Sequence, residues 1–163
     1  MKRLSWKYIA GFVDGEGCID FQCHVDRRNK VKRLYIVPRL RISLIASCRF
    51  ILENFHANFG GYFHKIRDFD NPNWQAAVTW QIQGKKMRPI LQNIVKHLLI
   101  KKEQAKFAIW WVDNVMGKQT PNGFYDERLQ KIRECARDEL KAMKKDPQRL
   151  SDRAVQNILA LMR

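Results

Sequence analysis

The chain has 163 residues, enough for one domain with a sizeable core and too few for two comfortable ones. Its formal net charge of +15 favours a polyanionic partner such as nucleic acid over a merely solubilising basic surface, because unbalanced positive charge repels itself. The four cysteines lack zinc-finger spacing, no apolar run reaches membrane length, and the basic start MKRLSWKY lacks a signal-peptide core. We therefore expect an intracellular protein with reduced thiols, in the cytoplasm or an organelle matrix, without a membrane partner.

The first predicted element is a short helix that stops at glycine. Ser5 can cap a helix that runs from Trp6 to about Asp14, because its hydroxyl can accept a hydrogen bond from the first turn. Gly15 and Gly17 follow, and we expect them to end the helix.

One face and one end of this helix carry unusual residues. Gly11 and Gly15 lie at i and i+4 with Ala10 beside them, and a face of small residues lets another backbone approach closely. Asp14 and Glu16 lie at the C-terminal end, where carboxylates oppose the helix dipole and require a positive partner. A divalent cation would meet this requirement, and hard oxygen ligands suit magnesium.

The segment from Tyr8 to Gly17, YIAGFVDGEG, resembles the signature of the LAGLIDADG homing endonucleases. In that family two such helices pack side by side, and each delivers one acid to a metal at the scissile phosphates. The resemblance implies that Glu16 is catalytic and binds the metal, with the Gly15 carbonyl as a further ligand. The implied cofactor is Mg²⁺ or another divalent cation such as Mn²⁺.

The second helix of such a pair must come from another chain, because the sequence has one copy of the motif and no internal repeat. We therefore expect a homodimer with Ala10, Gly11 and Asp14 at its interface. Asp14 is expected to cap the paired helices rather than to bind metal. Isologous pairing of identical chains predicts a pseudo-palindromic target.

Two hairpins with a helix between them follow the motif. Apolar and polar residues alternate over 18–26 and 33–44, which predicts two strands with one buried and one polar face. Pro38 places the second strand at an edge or at a bulge. A helix is predicted from about Ser47 to Asn58, and a second hairpin has its arms at 62–69 and 74–83.

Four further helices are predicted near 86–98, 101–116, 125–144 and 151–162. The order is similar to the αββαββα core of the family, so the expected fold class is α+β with a four-stranded antiparallel saddle-shaped sheet. We interpret 1–163 as a single endonuclease domain. Its core covers about 5–116, and a C-terminal helical extension of about 124–163 lies outside the resemblance.

The outward faces of the four strands are rich in hydrogen-bonding and cationic side chains. Between Arg27 and Arg49 there are eight lysine and arginine residues and no acid, a bias that favours a phosphate-lined surface. A strand of about ten residues spans on the order of 33 Å, near one turn of B-DNA, so each subunit can follow one half-site. Glutamine suits adenine edges and arginine suits guanine. The predicted DNA-contacting residues are Asp20, Gln22, His24, Arg33, Tyr35, Arg39, Arg41, His64, Gln75, Thr79, Gln81 and Gln83.

A second stretch that resembles the family, LLIKKEQA, covers residues 98–105. The resemblance implies that Lys101 lies near the active site, where it can polarise the scissile phosphate or the network around the attacking water. The alternative is an ordinary lysine at the start of a solvated helix. The two motifs in the expected order are more specific than either alone.

One feature of the family is missing. Many single-motif members carry a polar residue near the end of the second strand to orient water, and an arginine shortly after it. Leu44 occupies the first position, and Cys48 or Arg49 the second, so Arg49 is the remaining catalytic candidate. Either Ser43, Ser47 or Arg49 orients the water, or activity is reduced.

These features predict a homodimeric, magnesium-dependent homing endonuclease, encoded in an intron, that cuts both strands of a long pseudo-palindromic DNA site and leaves short 3′ overhangs. The rivals are an RNA maturase, which would bind RNA, and a non-catalytic DNA-binding protein on the same scaffold. Glu16 and Lys101 argue against lost catalysis, whereas Leu44 argues for it. A nucleotide-binding site at the Gly15-Glu16-Gly17 sequence is disfavoured, because that fingerprint follows a strand and precedes a helix.

Overall fold

A computed structural model describes residues 4–26, 33–65, 76–116 and 126–162. One antiparallel sheet has its four strands in the order β1-β2-β4-β3, and helices precede, separate and follow its two hairpins. The strands are β1 (Gly17–Asp26), β2 (Arg33–Ile45), β3 (Tyr62–Lys65) and β4 (Ala77–Gln83). The helices are α1 (Trp6–Glu16), α2 (Arg49–Phe59), α3 (Arg88–Ile94), α4 (Lys102–Asn114), α5 (Glu127–Lys145) and α6 (Ser151–Met162). The α+β class and the αββαββα order are confirmed.

Helix α1 begins at its predicted cap and runs further than predicted. The Ser5 hydroxyl accepts a hydrogen bond from the Tyr8 amide at 3.2 Å. The helix continues through Gly15 and ends at Gly17, because an internal glycine costs only about 1 kcal/mol against alanine. A Cβ placed on Gly17 would lie 2.7 Å from the Val13 carbonyl oxygen, so a glycine is needed where α1 turns directly into β1.

The second strand is interior to the sheet. β2 pairs with β1 without interruption from Gly17–Ile42 to Asp26–Arg33, so there is no bulge. The prediction of an edge strand is wrong for β2 as a whole, because β4 pairs with its other side. That second ladder ends at the pair Arg39–Gln83, directly next to Pro38, so the missing amide hydrogen of Pro38 costs no bond to β4.

Two groups of buried side chains form the core. Near α1, α2 and α3 the inward residues of the sheet pack around Trp80, whose indole nitrogen donates to the Gly60 carbonyl at 2.7 Å. Near α4, α5 and α6 a second group surrounds Phe21, Phe107 and Trp111. Cys23, expected on the buried face of β1, is exposed. The helices thus cover one face of the sheet and leave the polar face open.

The C-terminal helices are integral to the sheet. Beyond the end of β4, the side of β2 that faces away from β1 pairs with no other strand among the described residues. There the Gln130 side chain accepts a hydrogen bond from the Leu34 amide at 2.7 Å, and Arg133 donates to the Leu34 carbonyl at 2.9 Å. The Arg133 guanidinium also lies 4.8 Å from the centre of the Tyr35 ring. Helix α5 therefore supplies the hydrogen-bonding partners that a strand would have given.

The remaining differences from the predicted elements concern their lengths. The first arm of the second hairpin, predicted at 62–69, is a strand over Tyr62–Lys65, and its remaining positions lie outside the described residues. The helix expected near 86–98 is α3 after a 3₁₀ turn at Gly84–Lys86. Among the described helices, none combines the length and the hydropathy needed to cross a bilayer.

Candidate active site

The acid end of α1 is open to solvent. Glu16 is the last residue of the helix and is exposed. Gly11 and Gly15 lie on the exposed face, and a Cβ built on either has no atom within 4 Å. Ala10 was expected on the same face, but it is completely buried in the core with Ile9. Because helical positions 10 and 11 are about 100° apart, the two glycines lie on the exposed face and Ala10 does not.

Asp14 joins the end of α1 to the segment that leads into α4. Its two carboxylate oxygens accept hydrogen bonds from the backbone amides of Leu99 at 2.7 Å and Lys101 at 2.9 Å. The Lys101 ammonium in turn donates to the Asp14 carbonyl oxygen. Asp14 was expected to cap paired helices, whereas it caps a turn of its own chain, and Lys101 satisfies a carbonyl at the C-terminal end of α1.

The same contacts place Lys101 at the end of α1, where Glu16 is the last residue. Burial lowers the pKa of Lys101 below its ordinary value, while Asp14, Cys18 and Glu16 act in the opposite direction and Lys144 adds to the lowering. The structure thus brings together residues from the two sequence motifs.

Arg49 makes its contacts elsewhere in the fold. It lies in the first turn of α2, where its guanidinium pairs with Glu53 at 2.9 Å and lies 5.5 Å from the centre of the Phe63 ring. These partners belong to α2 and β3 and not to the end of α1. The catalytic role of Arg49 stays a prediction.

On the polar face of the sheet, Asp20 holds two arginines. Its oxygens accept from Arg39 at 2.9 and 3.0 Å, and Arg41 lies 3.3 Å away. The hydrogen bonds that Arg39 donates to Asp20 are the main cause that raises the pKa of Arg39. Asp20 was expected to contact DNA, but its carboxylate is engaged in orienting arginines.

Two predicted contact residues on β4 are buried. Thr79 and Gln81 face outward as predicted, yet they are only 6% and 8% exposed. The Thr79 hydroxyl lies 2.7 Å from that of Ser43, and the Gln81 side chain accepts from Arg39 at 3.4 Å. Both are covered because β4 lies between β2 and β3, so side chains from both neighbours flank them.

Several other predicted contact residues are exposed on the polar face, namely Gln22, His24, Tyr35, Arg41 and His64. Gln83 is half-buried, and its side-chain oxygen has no hydrogen-bond partner within the described part of the chain. Arg33 starts β2, and Gln75 lies outside the described residues.

The end of β2 differs from the expected alignment. Leu44 packs against the core, so its side chain is on the face opposite the DNA-contacting candidates. Ser43 is the exposed neighbour on the polar face. Alternate residues of a strand point to opposite faces, so the side chain at position 44 points away from the polar face. It therefore cannot orient a water molecule there.

One basic residue near the acid end was not predicted. The Lys144 ammonium at the end of α5 lies 3.2 Å from the Cys18 sulfur. The spacing of Arg137, Lys141 and Lys144 marks one face of a helix in the sequence. Which part of the sheet that face meets is decided by tertiary packing alone.

Comparison with known proteins supports the resemblance. The family model described as LAGLIDADG endonuclease matches residues 9–112. A comparison with curated proteins finds no match. The fold is similar to a crystal structure of the homing endonuclease I-CvuI in complex with its target in the presence of Ca, with a TM-score of 0.67 and 19% identity over 96% of this chain and 94% of that chain.

A second structure of I-CvuI, with the I-CreI target and Mg, has a TM-score of 0.66 and 19% identity over 97% of this chain and 94% of that one. The meganuclease I-SmaMI bound to uncleaveable DNA has a TM-score of 0.51 and 17% identity, and covers 98% of this chain and 43% of that one. At these identities the likeness shows the fold. Because the family model spans more than half of the sequence, the chain belongs to the LAGLIDADG endonuclease family and is a site-specific DNA endonuclease.

Proposed function

We propose that the protein is a homodimeric homing endonuclease, encoded in an intron, that cleaves both strands of a long pseudo-palindromic DNA site with the help of Mg²⁺. The observation that carries this proposal is the exposed Glu16 carboxylate at the end of a glycine-faced helix, to which Asp14 of the same helix joins Lys101. The structures of I-CvuI and I-SmaMI with DNA support a DNA substrate.

The dimer is supported by an apolar surface around the open face of α1. Tyr8 is 46% exposed on α1, and Leu99, whose amide binds Asp14, is 88% exposed. Its neighbour Ile100 is 52% exposed. Clustered large apolar side chains on a surface mark an interaction site, and Gly11 and Gly15 would allow two helices to approach closely.

A metal site is supported by the chemistry of the oxygen donors. The Glu16 carboxylate and the Gly15 carbonyl are hard ligands of the kind that magnesium prefers. Over the described ranges of one chain, no cluster of three or more metal-ligating side chains occurs. A second Glu16 from a partner would supply the missing charge.

Bound magnesium would stabilise the developing charge on the scissile phosphate and help to activate the attacking water. The residues of the chain have separate tasks. Glu16 holds the negative charge that attracts the cation, and Lys101 supplies a fixed positive charge beside the phosphate. Asp14 positions Lys101 through the backbone amide that it binds.

The polar face of the sheet would bind DNA. Gln22, His24 and Arg41 are exposed there, and Asp20 holds Arg41 in place for hydrogen bonds to base edges or phosphates. A net charge of +15 supports a large electrostatic contribution to binding.

The substitution Glu16→Gln tests this function. We expect the wild-type protein with Mg²⁺ to linearise a supercoiled plasmid that carries the uninterrupted intron junction, and the variant to bind the same DNA without cutting it. Gel analysis of the plasmid and fluorescence anisotropy with the junction duplex measure the two activities. Glu127→Gln, which changes an exposed carboxylate on α5, is the matched control and should cut normally.

The same assay separates the rivals. If the wild type never nicks the plasmid but binds the intron RNA and promotes its splicing, the maturase interpretation is correct and the nuclease is excluded. Binding of the junction DNA without nicking would indicate a regulator. Full cleavage by Glu16→Gln would overturn the catalytic assignment.

A further inference from the structure

We propose that Lys144, at the end of α5, contacts the DNA backbone at the catalytic centre as a phosphate-binding residue. This inference rests on the proposed function and extends its site to the C-terminal helices. Lys144 belongs to neither sequence motif, and it lies 32 residues beyond the family match, which ends at residue 112.

The first observation is the position of Lys144. Its ammonium lies 3.2 Å from the sulfur of Cys18, which is two residues after Glu16 at the start of β1. Arg41 pairs with Cys18 across the β-ladder, and its guanidinium lies 3.9 Å from the same sulfur. Lys101, directly before α4, donates to the Asp14 carbonyl at the same end of α1. Cations from β2, from the start of α4 and from α5 therefore lie beside the acid end of α1.

The second observation is the lack of a carboxylate for Lys144. On the same helix, Arg137 pairs with Asp138 at 2.9 Å, and Lys141 approaches Asp138 to 3.8 Å. Among the described residues, the polar partner of Lys144 is the thiol of Cys18. Asp14, at the end of α1, and Asp20, which lines the same groove as Lys144, are already bonded to backbone amides and to arginines.

The third observation is an open groove beside Lys144. A cavity of about 180 Å³ lies between β1 and α5, and it is lined by Asp20, Phe21, Cys23, Arg137, Leu140, Lys141 and Lys144. One edge of this groove is cationic along α5, because residues at i, i+4 and i+7 share a helix face.

The helix dipole explains why lysines occur in the last turn of α5. It does not explain why Lys144 lies beside Cys18 and lines the groove. Lys145 satisfies the dipole equally well, and it does not line the groove. Lys144 and Arg41 approach the same neutral thiol, so their charges repel each other, and a backbone phosphate would offset that repulsion. The geometry therefore assigns the free charge of Lys144 to a phosphate next to the scissile one.

The test couples Lys144 to individual phosphates. Lys144→Ala and Lys145→Ala are made in the full chain with Glu16→Gln present, so that DNA is bound but not cut. The probe is one defined duplex, recovered by selection with the wild-type protein, in which single phosphates are replaced by neutral methylphosphonates. Affinity is measured by anisotropy at several salt concentrations.

We expect Lys144→Ala to weaken binding and to reduce the salt slope by about 1 for each protomer. Methylphosphonates beside the scissile phosphate should weaken DNA binding by the parent protein, which carries Glu16→Gln alone. They should cause little further loss of affinity in the protein that also carries Lys144→Ala. Lys145→Ala should keep the full sensitivity at those positions. Lys144→Arg should retain the salt slope, which excludes a loss of folding as the cause.

The inference is wrong if Lys144→Ala shows the same sensitivity to every methylphosphonate as Lys145→Ala. It is also wrong if both salt slopes equal that of the parent. Failure of the wild-type protein to bind and cut any selected duplex would instead overturn the proposed function. The two outcomes are distinguished by the wild-type control in the same assay.

Discussion

At the scale of single residues, the geometry at the C-terminal end of α1 depends on the specific contacts of a few residues. Gly17 permits the helix to turn into β1 without an intervening loop, and it thereby places Glu16 at the junction. Asp14 uses its whole carboxylate to hold the backbone before α4. The position of Lys101 therefore follows from an acid that does not itself need to contact substrate.

Gly17→Ala should destabilise the fold by about 1–3 kcal/mol, because the added methyl group would collide with the Val13 backbone. Urea denaturation measures the free energy of unfolding. His24→Ala is the control, since this exposed residue lies on the same strand and should change stability by less than about 0.5 kcal/mol. Equal stability of the two variants would show that the junction relaxes easily.

At the scale of elements, the C-terminal helices are attached by buried polar contacts to the sheet and to α4. The side chains of Gln130 and Arg133 form hydrogen bonds with the backbone of Leu34. Between α5 and α6, the Glu139 carboxylate accepts hydrogen bonds from Arg149 and Asn157. Helices with such contacts are part of the domain's folding unit rather than an appended segment.

Glu103 gives one of these attachments a pH dependence. Its carboxylate accepts from the backbone amide of Ser151 at 2.9 Å and from its hydroxyl at 2.7 Å, and so caps α6 from α4. Burial tends to raise the pKa of Glu103, but the bonds from Lys106 and Ser151 outweigh it and keep this pKa below its ordinary value. The ionised form is thus favoured by folding.

A carboxyl group whose pKa is lower in the folded state stabilises the fold when it is ionised. Its full contribution to the free energy of unfolding is present above the pKa of the unfolded chain, about 4.3, and is lost as the pH falls through the pKa of the folded state. We expect Glu103→Gln to cost about 1.5–3 kcal/mol at neutral pH and progressively less in acid. Urea denaturation over a pH series measures this difference. Glu127→Gln, an exposed carboxyl on α5, is the control, and a pH-independent loss in Glu103→Gln would contradict the linkage.

At the scale of the whole molecule, two exposed surfaces are available for binding: the polar face of the sheet and the glycine face of α1. The helices cover the apolar side of the sheet and leave a polar side with exposed glutamine, histidine and arginine. The acid end of α1 lies next to that side, since β1 begins directly after Glu16. A partner helix on Gly11 and Gly15 would therefore extend the polar surface across two subunits.

Gly11→Leu tests this arrangement. Gly11 has open space in the single chain, so a larger side chain should leave the protomer folded and block a close helix pair. Sedimentation velocity should show dimers for the wild type and monomers for the variant, with cleavage lost in parallel. Ala57→Leu adds a similar side chain to the exposed face of α2 and should remain dimeric. A monomeric wild type, or a dimeric Gly11→Leu, would exclude pairing through this face.

The family motif, the strand faces and most helix positions could be predicted from the sequence, because each depends on residues that are neighbours along the chain. The alternation in β2 placed Leu40 and Ile42 inward, and the periodicity of α6 predicted Ser151–Met162 as observed. That Lys101 lies at the end of the helix that carries Glu16 could be predicted only through the second motif.

Tertiary structure alone decided the rest, because those features join residues that are distant in sequence. The contact between Asp14 and Lys101 spans 87 positions, and that between Cys18 and Lys144 spans 126. Whether Ala10 faces the core, and whether Thr79 and Gln81 are covered, depends on which elements pack around them. The sequence by itself determined that the chain carries a glycine-faced helix ending in an acid and a basic sheet face. Packing decided which charges meet there, since local periodicity specifies the face of an element but not its neighbour.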